Sequence, residues 1–64
     1  MVYLLQVLHL KVGAPVVLTQ NVMGVPQLVN GLTGIVEALY PEKIDVHWHQ
    51  LDRTMTIERT TFVE

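Results

Sequence analysis

The sequence contains no cysteine and no serine, and it has only three prolines, four glycines and one tryptophan among its 64 residues. The absence of cysteine excludes disulfide bonds and thiolate metal sites. The absence of both residues removes the two commonest nucleophiles, and no glycine-rich loop ending in Gly-Lys-Ser/Thr is present to bind a nucleotide. We therefore expect neither catalytic activity nor a cofactor in this chain alone.

Charged side chains are also few, at 16% of the residues, and the formal net charge is −2. The basic residues are dispersed singly, at Lys11, Lys43, Arg53 and Arg59. Nucleic-acid-binding domains usually carry a basic stripe, because neutralising phosphates supplies much of their affinity. Strong binding of DNA or RNA by the isolated chain is therefore not expected.

No apolar run is long enough to cross a membrane. The longest, residues 1–8, is interrupted by Gln6 and followed closely by His9 and Lys11. A membrane helix needs about 20 apolar residues, and a signal peptide needs a basic start and a small-residue cleavage site. We therefore expect an intracellular protein without a membrane partner. The length has room for one small domain, spanning residues 1–64.

Short β-strands are predicted along the chain, because apolar and polar residues alternate and no helical period is visible. Residues 44–49 alternate most regularly, with Ile44, Val46 and Trp48 on one face. Further strands are expected within residues 1–8, 16–20, 34–40 and 54–58, and a long loop at 20–28. This order predicts an all-β fold, a small SH3-like barrel of five to six short antiparallel strands.

Two segments predict changes of chain direction. Gly13 and Pro15 frame a break before the second strand, because glycine accepts a positive φ and proline cannot donate to a sheet ladder. The pair Asn30-Gly31 predicts a type I′ turn, in which both central residues have positive φ. Among the aromatic residues, Trp48 is expected in the core and Tyr40 at the surface.

Three potential metal ligands project from one face of one predicted strand. They are Asp45, His47 and His49, and two imidazoles with a nearby carboxylate are ligands that suit zinc. A closed site needs a fourth ligand, and His9 is distant in sequence. The favoured interpretation is therefore the solvated face of an amphipathic strand, with no bound metal.

Two ordered motifs resemble a known family. The first is Leu-Lys-Val-Gly-Ala-Pro-Val-Val-Leu-Thr-Gln-Asn at residues 10–21, and the second is Leu-Val-Asn-Gly-Leu-Thr-Gly-Ile-Val at residues 28–36. Both are similar, in sequence and in separation, to elements of the Pif-type DNA helicases in the RecD-like branch of superfamily 1. The resemblance covers residues 9–64, since the later strands and Phe62 are similar to the family's continuation.

The resemblance implies an SH3-like accessory domain, usually labelled 2B, of a larger ATP-dependent helicase that unwinds DNA 5′ to 3′ in repair and recombination. ATP and magnesium would bind in the RecA-like motor domains of that parent protein, which would be this domain's partners. In the family the small domain lies beside the single-stranded DNA channel and helps to guide the strand. The DNA-contact candidates that follow are Lys11, Gln20, Asn21, Asn30, Thr33 and Arg53.

Two positions depart from the family pattern. Gln20 stands where members often have lysine, and Leu32 and Thr33 stand where the turn is often basic. Both changes remove positive charge, so the isolated domain is expected to bind single-stranded DNA only weakly. Asn21 as a strand-end cap and Asn30 as a turn residue also have structural interpretations, which their turn preference favours.

A second interpretation is an independent small-barrel module, similar to the KOW or Tudor type, that binds protein or RNA. The segment Gly34-Ile35-Val36 supports it, because a Gly-x-Val sequence after a loop is common in such barrels.

Overall fold

The alternation of apolar and polar residues produces a single antiparallel sheet, whose strands follow one another in chain order. The computed structural model describes residues 5–7 and 11–58. The strands are β1 (Leu5–Val7), β2 (Pro15–Leu18), β3 (Thr33–Leu39), β4 (Lys43–Trp48) and β5 (Arg53–Glu58). No helix occurs in the described ranges, and hence none long and apolar enough to cross a membrane. The predicted all-β class is confirmed.

The described residues form an open sheet, and no pairing among them closes it into the predicted barrel. Each strand pairs only with its neighbours in the chain, so β1 and β5 are the two edges of the sheet as described. Consecutive hairpins build such a meander, because each strand returns beside its predecessor. The remaining residues, 1–4, 8–10 and 59–64, lie outside the described ranges, and Phe62 of the family resemblance is among them.

The core lies on one face of the sheet, and β4 is its centre. Ile44, Val46 and Trp48 have no measurable exposure, whereas Asp45 and His47 point to the opposite, outer face and are half-buried. This is the two-residue period expected of a strand with one buried face. The other buried apolar residues are Ala14, Val16, Leu18, Leu28, Leu32, Val36 and Ile57.

The second layer of the core comes from residues 19–32, the connection between β2 and β3. Leu28 and Leu32 are buried against the sheet, and Val22 and Val25 are half-buried beside them. The backbone of this connection turns back on itself, since the Val22 N–H donates to the Leu28 carbonyl at 2.8 Å. The predicted loop is therefore confirmed, but it also covers the sheet, which its irregular polar pattern did not indicate.

The turn at Asn30-Gly31 differs from the predicted type I′ turn. Gly31 has φ +99°, but Asn30 is not among the residues with positive φ. A positive φ at only the third residue, with the Leu32 N–H donating to the Val29 carbonyl at 3.3 Å, is the pattern of a type II turn. The physical reason is tertiary, because the Asn30 N–H is held by the Asn21 side chain across the loop.

Gly34 lies where the sheet is most closely packed. It is buried on β3, between Val16 of β2 and Trp48 of β4 in the strand register. A Cβ atom at this position would lie 2.5 Å from the His47 carbonyl oxygen and 2.7 Å from Val46 Cγ1. The absence of a side chain at residue 34 therefore lets the inward face of β4 approach β3.

We expect Gly34→Ala to lower the free energy of unfolding by about 1–3 kcal/mol, the usual cost of overpacking a core. The measurement is urea denaturation followed by the fluorescence of the buried Trp48, the single tryptophan. Gly24→Ala is the control, because no atom lies within 4 Å of a Cβ placed there and only its φ of +83° opposes the substitution. A Gly34 variant as stable as the unsubstituted protein would contradict this packing.

Candidate functional site

Five of the six DNA-contact candidates come together at one end of the sheet. The strand register places them there, because Val17 lies opposite Thr33, Gly34 opposite Trp48, and Trp48 opposite Arg53. The end of β2, the start of β3 and the start of β5 are therefore neighbours. We call this the polar end; its members are Gln20, Asn21, Asn30, Thr33, Gln50 and Arg53.

Lys11 is the candidate that does not join this group. Its carbonyl accepts a hydrogen bond from the Ala14 N–H at 3.0 Å, in the turn that leads into β2. The next backbone contact, from the Gly13 N–H to the Val36 carbonyl at 2.8 Å, places this turn beside the middle of β3. Lys11 therefore lies toward the opposite end of β2 from Gln20 and Asn21. Its positive charge does not contribute to binding a ligand at the polar end.

Asn21 and Asn30 form one contact within the polar end. The Asn21 Oδ1 accepts a hydrogen bond from the Asn30 N–H at 2.7 Å. This bond closes the loop across nine residues and satisfies a backbone donor that its turn leaves unpaired. The carboxamide N–H₂ of Asn21 has no role in that bond and is exposed with the rest of the residue.

Thr33 forms the second contact, with Gln50 in the turn between β4 and β5. Gln50 accepts a hydrogen bond from the Thr33 N–H at Oε1 (3.1 Å) and donates one from Nε2 to Thr33 Oγ1 (3.0 Å). The His49 N–H also donates to the Thr33 carbonyl at 2.9 Å. Gln50 thereby joins the β4–β5 turn to the start of β3, and only the long-range register could reveal this partner.

The electrostatics of the polar end are close to neutral. Arg53 is its single cation, at the exposed first position of β5, and it is preceded in the chain by Asp52, whose side chain is 95% exposed. Asp52 has φ +50°, and its N–H donates to the Trp48 carbonyl at 2.8 Å, so the turn holds the carboxylate at this end. Amide and hydroxyl groups beside one arginine can hydrogen-bond a phosphate or a base, but they neutralise little phosphate charge.

The three metal-ligand candidates make contacts with other side chains on the outer face of the sheet. Asp45 Oδ1 accepts a hydrogen bond from Thr56 Oγ1 at 2.7 Å, and His47 and His49 meet edge to face with their ring centroids 6.3 Å apart. Within residues 11–58, no group of three histidine or acidic side chains is placed to hold a metal ion. The hydrogen bond from Thr56 gives Asp45 a structural partner on β5.

Glu37 is an outer-face residue that the sequence pattern did not single out. The β3–β4 register shifts between Val36 and Ala38, so Glu37 is the extra residue of a β-bulge. Its carboxylate accepts a hydrogen bond from Thr54 Oγ1 and lies 4.0 Å from His47 Nδ1. On the other side of the ring, His47 Nε2 lies 3.5 Å from Asp52 Oδ1. Two carboxylates, those of Glu37 and Asp52, thus flank the His47 imidazole.

No protein-family model, curated protein or solved structure matches this chain.

We expect Asn21→Ala to destabilise the protein by about 1 kcal/mol, as loss of a side-chain cap usually does. Asn21→Asp keeps the acceptor oxygen and is the matched control, with a cost expected to be only a few tenths of a kcal/mol. Urea denaturation measures both, and hydrogen exchange of the Asn30 amide should accelerate in the alanine variant alone. Equal exchange rates in the two variants would show that Asn21 does not hold this turn.

Proposed function

We propose that this chain is a non-catalytic, SH3-like accessory domain of an ATP-dependent 5′-to-3′ DNA helicase of the Pif type, acting inside the cell. The domain shapes the path of the single strand or docks on the motor. ATP and magnesium bind in the RecA-like motor domains of the parent protein, which are its partners.

The observation that carries the proposal is the polar end. Gln20, Asn21, Asn30 and Thr33 come from the two motifs that resemble the helicase family, and Arg53 comes from a later strand. The strand register brings the end of β2 and the starts of β3 and β5, which carry or adjoin these residues, to one end of the sheet. Amide, hydroxyl and guanidinium groups at one end of the sheet supply donors for phosphate oxygens and for base edges, which is what positioning of a strand requires.

The low charge of this surface favours a role in guiding the single-stranded DNA over a role in binding it tightly. The side chains of Asn21 and Thr33 are already held by Asn30 and Gln50, so their geometry is preset before any ligand arrives. Preset neutral groups contact a passing strand with little electrostatic attraction, because counterion release is small where few cations are present. Such a surface suits a strand that must move, in a channel whose charge comes from the motor domains.

The alternative, a KOW- or Tudor-like module that binds protein or RNA, has less support from the aromatic residues. A Tudor-type cage needs several exposed rings around one cation. Within the described residues Trp48 is fully buried, and Tyr40 already has the Lys43 ammonium 5.1 Å from its ring centroid. No second exposed ring of Phe, Tyr or Trp type lies in residues 11–58 to complete such a cage.

We expect the isolated chain to bind single-stranded DNA with a dissociation constant weaker than about 10 µM at about 0.15 M salt, because the polar end offers one cation. Fluorescence anisotropy with a labelled oligothymidylate measures this affinity. Arg53→Ala should weaken the residual binding, whereas Lys43→Ala, at the opposite end of the β4–β5 hairpin, should not. Sub-micromolar binding by the isolated chain would contradict the guiding role.

The role in a helicase is tested by a chimera. Residues 1–64 replace the corresponding small domain of a Pif-type helicase, and strand displacement is measured beside DNA-stimulated ATP hydrolysis. We expect the chimera to unwind DNA, whereas a chimera with a Gly-Ser linker in place of the domain should hydrolyse ATP with little unwinding. If both chimeras unwind equally poorly while ATP hydrolysis is intact, the proposed function is wrong.

A further inference from the structure

From Arg53 to Ile57, the outer edge of β5 has no strand partner among the described residues. Its inner edge pairs with β4 over all six residues, from Lys43 opposite Glu58 to Trp48 opposite Arg53. Within residues 5–7 and 11–58, no backbone hydrogen bond reaches the other edge between Arg53 and Ile57. Such an edge presents a row of N–H and C=O groups that an additional strand can bind.

A cleft lies directly along this edge. Its volume is about 270 Å³, with Thr56, Ile57 and Glu58 of β5 on one side and the β2–β3 loop on the other. The loop contributes four apolar side chains, Val22, Met23, Val25 and Leu28. The cleft is therefore a pocket for an apolar side chain that lies beside Ile57 on the core side of the sheet.

The two faces of the edge differ in chemistry. A strand added beside β5 would direct alternate side chains to opposite faces, as every strand does. Side chains on the core side would enter the cleft, between Ile57 and the apolar side chains of the loop. Side chains on the outer side would lie beside Thr54 and Thr56, whose hydroxyls donate to the Glu37 and Asp45 carboxylates.

The outer side attracts positive charge. Glu37, Asp45 and Asp52 all lie on this face or at its turn. The ion pairs described for Glu37 and Asp52 are both with His47, which is charged only when protonated. Within the described residues, no lysine or arginine lies within ion-pair distance of these three carboxylates. Lys43, on the neighbouring strand, has its ammonium over the Tyr40 ring.

We propose that the β5 edge is a docking site for an extended peptide segment of a partner protein, in which apolar and basic residues alternate. Its backbone adds a sixth strand to the sheet, its apolar side chains enter the cleft beside Ile57, and its lysines or arginines face the carboxylates of the outer face. The site is separate from the polar end, since the cleft residues Thr56–Glu58 occupy the opposite end of β5 from Arg53. The inference therefore does not depend on the proposed helicase function.

The test uses the full 64-residue chain and a synthetic peptide that alternates lysine with valine or isoleucine over seven residues, with blocked termini. Binding is followed by the backbone amide shifts of the labelled protein. We expect saturable shifts confined to β5 and to residues 22–28. A peptide of the same composition with its lysines grouped together should bind at least about tenfold more weakly, because it cannot direct one residue type to each face.

Two variants separate the two faces of the site. Val25→Asp places a charge in the cleft and should weaken binding of the alternating peptide at least about tenfold. Val29→Asp is the matched control, because Val29 is 41% exposed in the same loop and does not line the cleft. Asp45→Asn should weaken binding of the lysine peptide but not of a peptide with glutamine in place of lysine.

Four results would overturn the proposal. They are the absence of binding, equal binding of the grouped peptide, shifts located at the polar end, and insensitivity to Val25→Asp. Two further results would assign the edge to another occupant and would also overturn it. One is dimerisation of the free chain through β5, seen by sedimentation and abolished by Val25→Asp. The other is a need to delete residues 59–64 before the peptide can bind.

Discussion

The fully buried face of β4 is the constraint that organises the rest of the molecule. Ile44, Val46 and Trp48 have no measurable exposure, although a sheet of short strands can cover them from one direction only. Small domains bury a modest share of their surface, about 60% at this size, so a fully buried strand face needs cover from several elements. Gly34 allows β3 to approach from the side, and the β2–β3 loop closes the face with Leu28 and Leu32.

Covering the core with a loop has consequences for the polar residues around it. The loop must return from Leu28 to the start of β3, so its polar side chains are needed to satisfy its own backbone. Asn21 holds Asn30, and Gln50 holds Thr33 from the neighbouring turn. The same contacts preset the groups of the polar end. Structural and functional interpretations of these residues are therefore compatible, since each contact leaves other donors or acceptors of the side chain for a ligand.

The two faces of the β4–β5 hairpin also differ in chemistry. On the core side, a cleft lies between Ile57 of β5 and the apolar side chains of the loop. On the outer side, a β-bulge in β3 brings Glu37 beside Thr54 and His47. The bulge adds a carboxylate to a face that already contains Asp45. An edge with one apolar and one acidic side follows from these two local features.

The sequence by itself determined the strands and their buried face. The period of two in residues 44–49 predicted which side chains enter the core, and Trp48 and Tyr40 lie as expected, because local alternation is a property of neighbouring residues. Only the tertiary structure decided the partner of Thr33, the bulge at Glu37, the type of the Asn30-Gly31 turn and the open arrangement of the described strands. Each of these depends on register between residues far apart in the chain, and register is set by the packing of whole strands and loops.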